Sequence, residues 1–441
     1  NSVIAQSQIP LPTEPQLKWQ NAELAALVCW DLHAFDGKFY VQSKARITPV
    51  EDYNIFNPQH YDPEQWVKSL KDAGFKIAIL TVSHETGFFL HQSDATPYCM
   101  KALKWRDGMG DVLRDFKAAC EKYGILPGVY IGIRWNSFMG VHDFAMQGNT
   151  AFSKNRQAYY NRYCEQMTTE LVSNYGKFFF IWFDGGAHGP EQGGPDILPI
   201  ITKHQPEAIF YHNLQRADVR WGGTESGTVP YPCWATFNYP SWFQYSGAKE
   251  GFNPIKYGIE DGKYYMPAMA DAPLRGYKGR HEWFWEPGDE AHIFPVQKLV
   301  DMYYGSVGHN ATLILGLTPD ANGLLPKQDA DTLKAFGESI KQLFNKPIAV
   351  SSGDNKVIEL KIPKGQSFNQ IVIGEEIEKG QRVREFTVQV YRKRKWETIL
   401  SGTSIGHKFI KLLPEKVSCK KVRLMIKKSV GQSFIKQFAL Y

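Results

Sequence analysis

Cysteine is scarce in this chain of 441 residues: six are present, Cys29, Cys99, Cys120, Cys164, Cys233 and Cys419, and none forms a C-x-x-C pair. That pattern excludes a zinc knuckle or a thioredoxin-type site, and at this density free thiols are expected rather than a disulfide framework. No H-E-x-x-H array is present, so no metal centre is expected. Phosphate loops of the G-x-G-x-x-G or G-x-x-x-x-G-K-[ST] kind are missing, as is the G-x-S-x-G elbow of many serine hydrolases, and no cofactor is implied. No apolar run is long enough to span a bilayer. The net charge of +6 is diffuse, with much of the Lys/Arg excess beyond residue 346, which leaves no footprint for nucleic acid or a membrane.

What is abundant is aromatic: 12 Trp and 22 Tyr supply a large core and also ring faces that suit the C–H faces of a sugar. The opening Val3-Ile4-Ala5-Gln6 looks like the small-residue end of a secretory signal, so residues 1–8 are read as a remnant of export and the protein as secreted or periplasmic.

From residue 23 to about 344, strand-like and helix-like segments alternate. Strands are expected at 26–30, 76–82, 126–131, 178–183, 209–213 and 311–317, and helices at 63–73, 111–123, 156–175, 294–304 and 330–344. This order predicts a parallel sheet with crossover helices, of the length of a (β/α)8-type barrel. The stretch 238–290, rich in Gly, Pro and aromatics, is expected to form loops over the barrel mouth. Beyond residue 347 come seven short β-type runs, at 357–362, 370–373, 386–391, 396–400, 409–412, 421–426 and 434–440, which predict a C-terminal β-sandwich. The division expected is therefore a catalytic barrel over 1–345 and a sandwich over 346–441.

The run Phe178-Phe179-Phe180-Ile181-Trp182-Phe183 is apolar throughout, the pattern of a strand buried on both faces. Asp184 follows at its C-terminal end, with Gly185 and Gly186 behind it to let the chain turn. Catalytic groups of such barrels sit at that end of a strand. Hydrolysis of a glycosidic bond needs a second carboxyl, and Glu225 in Gly222-Gly223-Thr224-Glu225-Ser226-Gly227, Glu282 beside Arg280 and His281, and Glu85 after Ser83-His84 are the candidates, the first two foremost. His33, His84, His91 and His188 stand near strand ends, where an imidazole can bond a sugar hydroxyl or serve packing alone.

These blocks resemble the α-L-fucosidases of glycoside hydrolase family 29. Pro15–Leu24, Gly87-Phe88 with Gly110–Arg114, Trp182-Phe183-Asp184-Gly185, Gly223–Gly227 with Tyr231–Trp234, Trp283-Phe284-Trp285 and Ser306–Thr312 align in order, and the likeness continues into 379–384 and 402–408. The loop around Glu225 is similar to the branch that prefers 1,3/1,4-linked fucose. The resemblance implies a retaining exo-glycosidase with Asp184 as nucleophile and Glu225 as acid/base, its carboxyls about 5–5.5 Å apart, acting on a fucosylated oligosaccharide or glycoconjugate. Cys29, His33, Ser83, His84, Glu85, His91, Tyr130, Trp182 and Trp283 are the sugar-contact candidates. Cys29 and Ser83 stand where family members usually carry histidines, and His91 where they carry a tryptophan. That rewriting of the sugar grip leaves two alternatives: a glycosidase for another sugar, such as an α-L-galactoside, or a catalytically weak glycan-binding protein.

Overall fold

The computed structural model describes residues 9–146, 148, 150–244, 254–280 and 282–441. Residues 1–8, read as an export remnant, lie outside these, as do His281 and part of the 238–290 stretch.

Eight strands make one curled sheet: β1 (Leu24–Val28), β2 (Ile77–Ser83), β3 (Leu126–Ile131), β4 (Phe180–Ala187), β5 (Ile209–Asn213), β6 (Arg220–Trp221), β7 (Ala268–Pro273) and β8 (Ala311–Leu317). Their spatial order is 5-4-3-2-1-8-7-6, and every neighbouring pair runs parallel. This is the cyclic order of a (β/α)8 barrel, opened at the seam between β5 and β6. At the seam the chain folds back on β5: the Asn213 amide donates to Arg216 O at 3.0 Å, and the Asp218 amide to Phe210 O at 3.0 Å.

The strands read as hydrophobic because both faces are covered. Leu27, Ile79, Phe180, Trp182 and Met269 point into the barrel. Alternate residues such as Val28, Leu80, Val129, Ile181 and Phe183 point outward, beneath the helices. Each large side chain buried in this way contributes roughly 1.5–3 kcal/mol. The main covering helices are α1 (Glu14–Ala22), α2 (Pro63–Asp72), α3 (Val112–Tyr123), α4 (Ala151–Asn174), α5 (Ile197–His204), α6 (Val296–Ser306) and α7 (Lys327–Leu343). Their ends follow the sequence: Asp62 and Asp111 accept the amides of Gln65 and Arg114, and Gly124 closes α3 in the left-handed region at φ +64°. No described helix is long and apolar enough to cross a membrane.

One expectation fails in the barrel. The stretch 238–290 is not all loop, since β7 lies within it, buried at every position. Ala-Met-Ala-Asp-Ala-Pro has little β-propensity: Met269 and Asp271 face inward, while Ala268 and Ala270 pack outward against Val229 and Cys233 and Ala272 joins the outer core.

After α7 come eight antiparallel strands: β9 (Ala349–Gly353), β10 (Val357–Lys361), β11 (Phe368–Glu375), β12 (Val383–Arg392), β13 (Lys395–Gly402), β14 (Phe409–Val417), β15 (Lys421–Ser429) and β16 (Ile435–Leu440). They form two sheets, ordered 9-16-11-14 and 10-15-12-13, around Ile371, Ile373, Phe386, Val388, Leu424 and Phe438. All seven runs read from the sequence are strands, and β9 adds one more. The sandwich is bonded to the barrel: Glu23 accepts from Tyr303 Oη at 2.6 Å and pairs with His407 Nε2 at 3.1 Å. The Ser404 hydroxyl donates to Cys233 O at 3.1 Å. All six cysteines are free thiols.

Candidate active site

A cavity of about 520 Å³ opens at the C-terminal ends of the barrel strands. Asp184 and Glu225 both line it, as do Asp271 and Glu282. Asp184 follows the buried core of β4 and faces the cavity. Gly185 behind it has φ +66°, and a Cβ there would lie 2.8 Å from Arg134 Cδ, so only glycine allows both the turn and the arginine crossing it. Desolvation within the barrel mouth raises the Asp184 carboxyl above the ordinary range although the residue is open to the cavity, and the Glu225 charge adds to this. His84 and the hydrogen bond given by Tyr130 pull it back toward ionisation.

Glu225 is mounted differently. Like Asp184 it is exposed, but it sits on the loop between Trp221 and Gly227, where the Trp283 indole donates to its Oε2 at 3.2 Å. A hydrogen-bonded row of hydroxyls, Thr224 to Ser226 to Thr228 at 2.9 Å each, stiffens that loop. Glu282 also reaches the cavity wall, but Arg280 lies 3.3 Å away and also pairs with Glu286 and, at 3.4 Å, with Asp289. Two carboxyls in one cavity, one strand-mounted and one on a loop, are the equipment of glycoside hydrolysis.

A family model described as alpha-L-fucosidase matches residues 18–343. The chain belongs to the alpha-L-fucosidase family. It is thus a glycoside hydrolase. A solved structure from Bacteroides thetaiotaomicron, provisionally named an alpha-L-fucosidase, is 51% identical, with a TM-score of 0.95 over 98% of this chain and 99% of that one. A glycoside hydrolase 29 family member from an unknown rumen bacterium is 28% identical, with a TM-score of 0.81 over 99% of this chain and 78% of that one. Among curated relatives, alpha-L-fucosidase 1 of Arabidopsis thaliana is 28% identical over 98% of this chain and 88% of its own.

Of the sugar-contact candidates in this fucosidase-family chain, Cys29, His84, Tyr130, Trp182 and Trp283 line the cavity. Burial drives the Cys29 thiol up to about 12, so it is a neutral, weak hydrogen-bonding group there, touched by Thr81 Oγ1 at 3.7 Å. Burial also pushes His84 down to about 4; its ring is neutral, stacked on Tyr130 at 5.7 Å, and its Nδ1 has no protein partner. Trp182 Nε1 likewise lacks one. A buried polar atom of this kind is costly unless a ligand or water satisfies it.

Four candidates are not part of the cavity wall. Between Thr81 and Ser83 the β2–β3 register shifts, so Thr81 and His84 reach the cavity while Ser83 is turned into the packing. His91 is fully buried on the helix side, stacked on Phe89 at 5.0 Å and edge-on to Tyr175 at 5.7 Å, where its ring serves the outer core. His33 meets Asp36 at 3.4 Å and stands edge-on to Tyr40. Burial lowers its affinity for a proton, but the bond to Asp36 outweighs this together with the nearby carboxylates, and the net shift is upward. Glu85 lies one layer back, where it accepts from Arg46 Nε at 2.8 Å, Tyr40 Oη at 3.1 Å and Gln42 Nε2 at 3.3 Å. It holds in place three side chains that do line the cavity.

Sequence reading missed Arg46, Arg134, His212, Trp242 and Asp271 in the wall. His212 was within reach, since it ends the apolar run of β5 as Asp184 ends that of β4. Asp271 carried no signal, because its strand was not recognised. Among the described residues, no three His, Cys, Asp or Glu side chains gather as a metal site would require.

Proposed function

We propose that this chain removes terminal α-L-fucosyl residues from glycans with retention of configuration, by way of a covalent glycosyl-enzyme. The observation that carries the reading is the shared cavity of Asp184 and Glu225, each held by one aromatic donor, Tyr130 on the first and Trp283 on the second. Asp184 attacks the anomeric carbon as Glu225 protonates the departing oxygen. In the second step Glu225 takes a proton from water, which displaces Asp184 and regenerates both carboxyls. The neutral His84, the Trp182 N–H and the Cys29 thiol would meet the sugar ring. A thiol replaces an imidazole at Cys29, and one neutral hydrogen bond contributes on the order of 0.5–1.5 kcal/mol. Simple aryl fucosides are therefore weak substrates, and neighbouring sugars of a branched 1,3/1,4-linked glycan supply the remaining binding.

The test is to react the protein with a 2-fluoro-fucosyl fluoride and sequence the labelled peptide. Label on Asp184, with an α-configured first product by NMR, supports the proposal; label elsewhere or an inverted product defeats it. A parallel panel of aryl α-L-fucoside and α-L-galactoside decides the sugar.

A further inference from the structure

The loop that carries Glu225 is fastened at both ends to one residue of the neighbouring strand. The Trp221 indole donates to Asp271 Oδ1 at 3.0 Å, and the Gly227 amide donates to the Asp271 carbonyl at 2.8 Å. Asp271 lies within β7 and is 4% exposed, yet its side chain forms part of the cavity wall. Trp221 occupies one carboxyl oxygen, which leaves the second for a ligand. The titratable groups that face it are Glu225 from the loop, Asp184 from β4 and Tyr211 from β5, and no described cation forms an ion pair with it.

We propose that Asp271 binds the sugar directly through the oxygen that Trp221 leaves free, and that the same side chain positions the Glu225 loop. The ligand is taken to be L-fucose, so in that respect this rests on the function proposed above. An unpaired carboxylate beside two other carboxyls is costly to bury, and the group answers by keeping its proton. Burial first, then the Glu225 charge, push the Asp271 carboxyl up to about 8, against the pull of the Trp221 hydrogen bond and of its own backbone amide. At neutral pH it is thus an O–H donor as well as an acceptor, matching a sugar hydroxyl that gives and takes. Above that range it becomes a third negative charge in the cavity, and sugar binding weakens as pH rises.

The test is calorimetric titration of the full chain with free L-fucose from about pH 6 to about pH 9.5. For wild type, Kd should rise about tenfold for each unit above about pH 8. Asp271→Asn keeps an acceptor for Trp221 and a donor for the sugar but has no proton to lose, so its Kd should stay flat. Glu225→Gln and Asp184→Asn should both retain the alkaline rise, which decides the matter even if Asp271→Asn does not fold. Trp221→Phe removes the tie between the loop and Asp271: kcat on an oligosaccharide should fall about tenfold, while Kd for fucose at about pH 6 holds and the alkaline rise begins at higher pH. A flat wild-type profile, a rise that persists in Asp271→Asn, or a rise abolished by Glu225→Gln overturns the binding role. Unchanged kcat in Trp221→Phe overturns the positioning role. If wild type ignores L-fucose but binds L-galactose with the same alkaline rise, the fucose reading falls and Asp271 stands; binding neither sugar defeats both.

Discussion

The two walls of the cavity are built on different principles. The wall of β2, β3 and β4 presents Tyr130 from within a parallel ladder, and His84 and Asp184 from the residue just past one, above an aromatic and aliphatic core. The facing wall presents Glu225 and Trp283 from loops whose order comes from side-chain hydrogen bonds. The nucleophile proposed, Asp184, must meet one carbon along one line, and a position set by the backbone suits that. In the role proposed for it, Glu225 gives a proton in one step and takes one in the next, and a loop allows it to serve both partners.

Breaking the rigid wall should cost most. Asp184→Asn removes the oxygen proposed to attack, and kcat should fall on the order of 10⁴- to 10⁶-fold whatever the leaving group, measured with both oligosaccharide and aryl substrates. Near wild-type turnover on any substrate would remove Asp184 from the chemistry. On the loop side, Glu225→Ala should lose about 10²- to 10⁴-fold on natural glycans and far less on an aryl glycoside with a good leaving group. Equal losses on both substrates, or a larger loss from Glu282→Ala, would move the acid role to Glu282.

A glycine pair sharpens the contrast. At Gly185, adjacent to Asp184, a methyl group meets the Arg134 stem at 2.8 Å, whereas at Gly223, two residues from Glu225 and with φ +83°, it meets the Lys256 stem at 2.6 Å. Both alanine variants carry left-handed strain of about 1 kcal/mol or more. Gly185→Ala should also displace Asp184 and cost about 10²-fold in kcat, while Gly223→Ala should stay within about tenfold. Equal effects would mean the walls do not differ in stiffness. The smallest effect expected is from Trp283→Phe, which removes one N–H from Glu225: about threefold to tenfold on poor leaving groups, read as a change in kcat/KM.

The same contrast explains what the sequence made legible. The rigid wall announces itself, because a strand buried on both faces must be a continuous apolar run and Asp184 interrupts one. Barrel order, sandwich and most strand positions follow from such runs. The register shift at Thr81/Ser83 does not, since it arises from pairing with β3 and decides by one residue which side chain meets the cavity. His91 looks polar in the sequence, yet the space between Phe89 and Tyr175 fits a flat neutral ring. Asp271 stayed hidden because an alanine-rich strand is dictated by its neighbours' bulk rather than by its own propensity.

The unclosed seam between β5 and β6 has a consequence for how copies of this protein meet one another. A curled sheet with two ends exposes two rows of backbone donors and acceptors, the template on which foreign strands add and aggregates grow. Here both ends are blunted. β6 is only two residues long, and the outer edge of β5 is occupied by the chain's own return, with the Phe210 amide donating to the Asp218 side chain at 2.7 Å as well. That side chain is held in turn by Arg216 Nη2 at 2.7 Å. The fold thereby keeps an open ring without offering an adhesive edge.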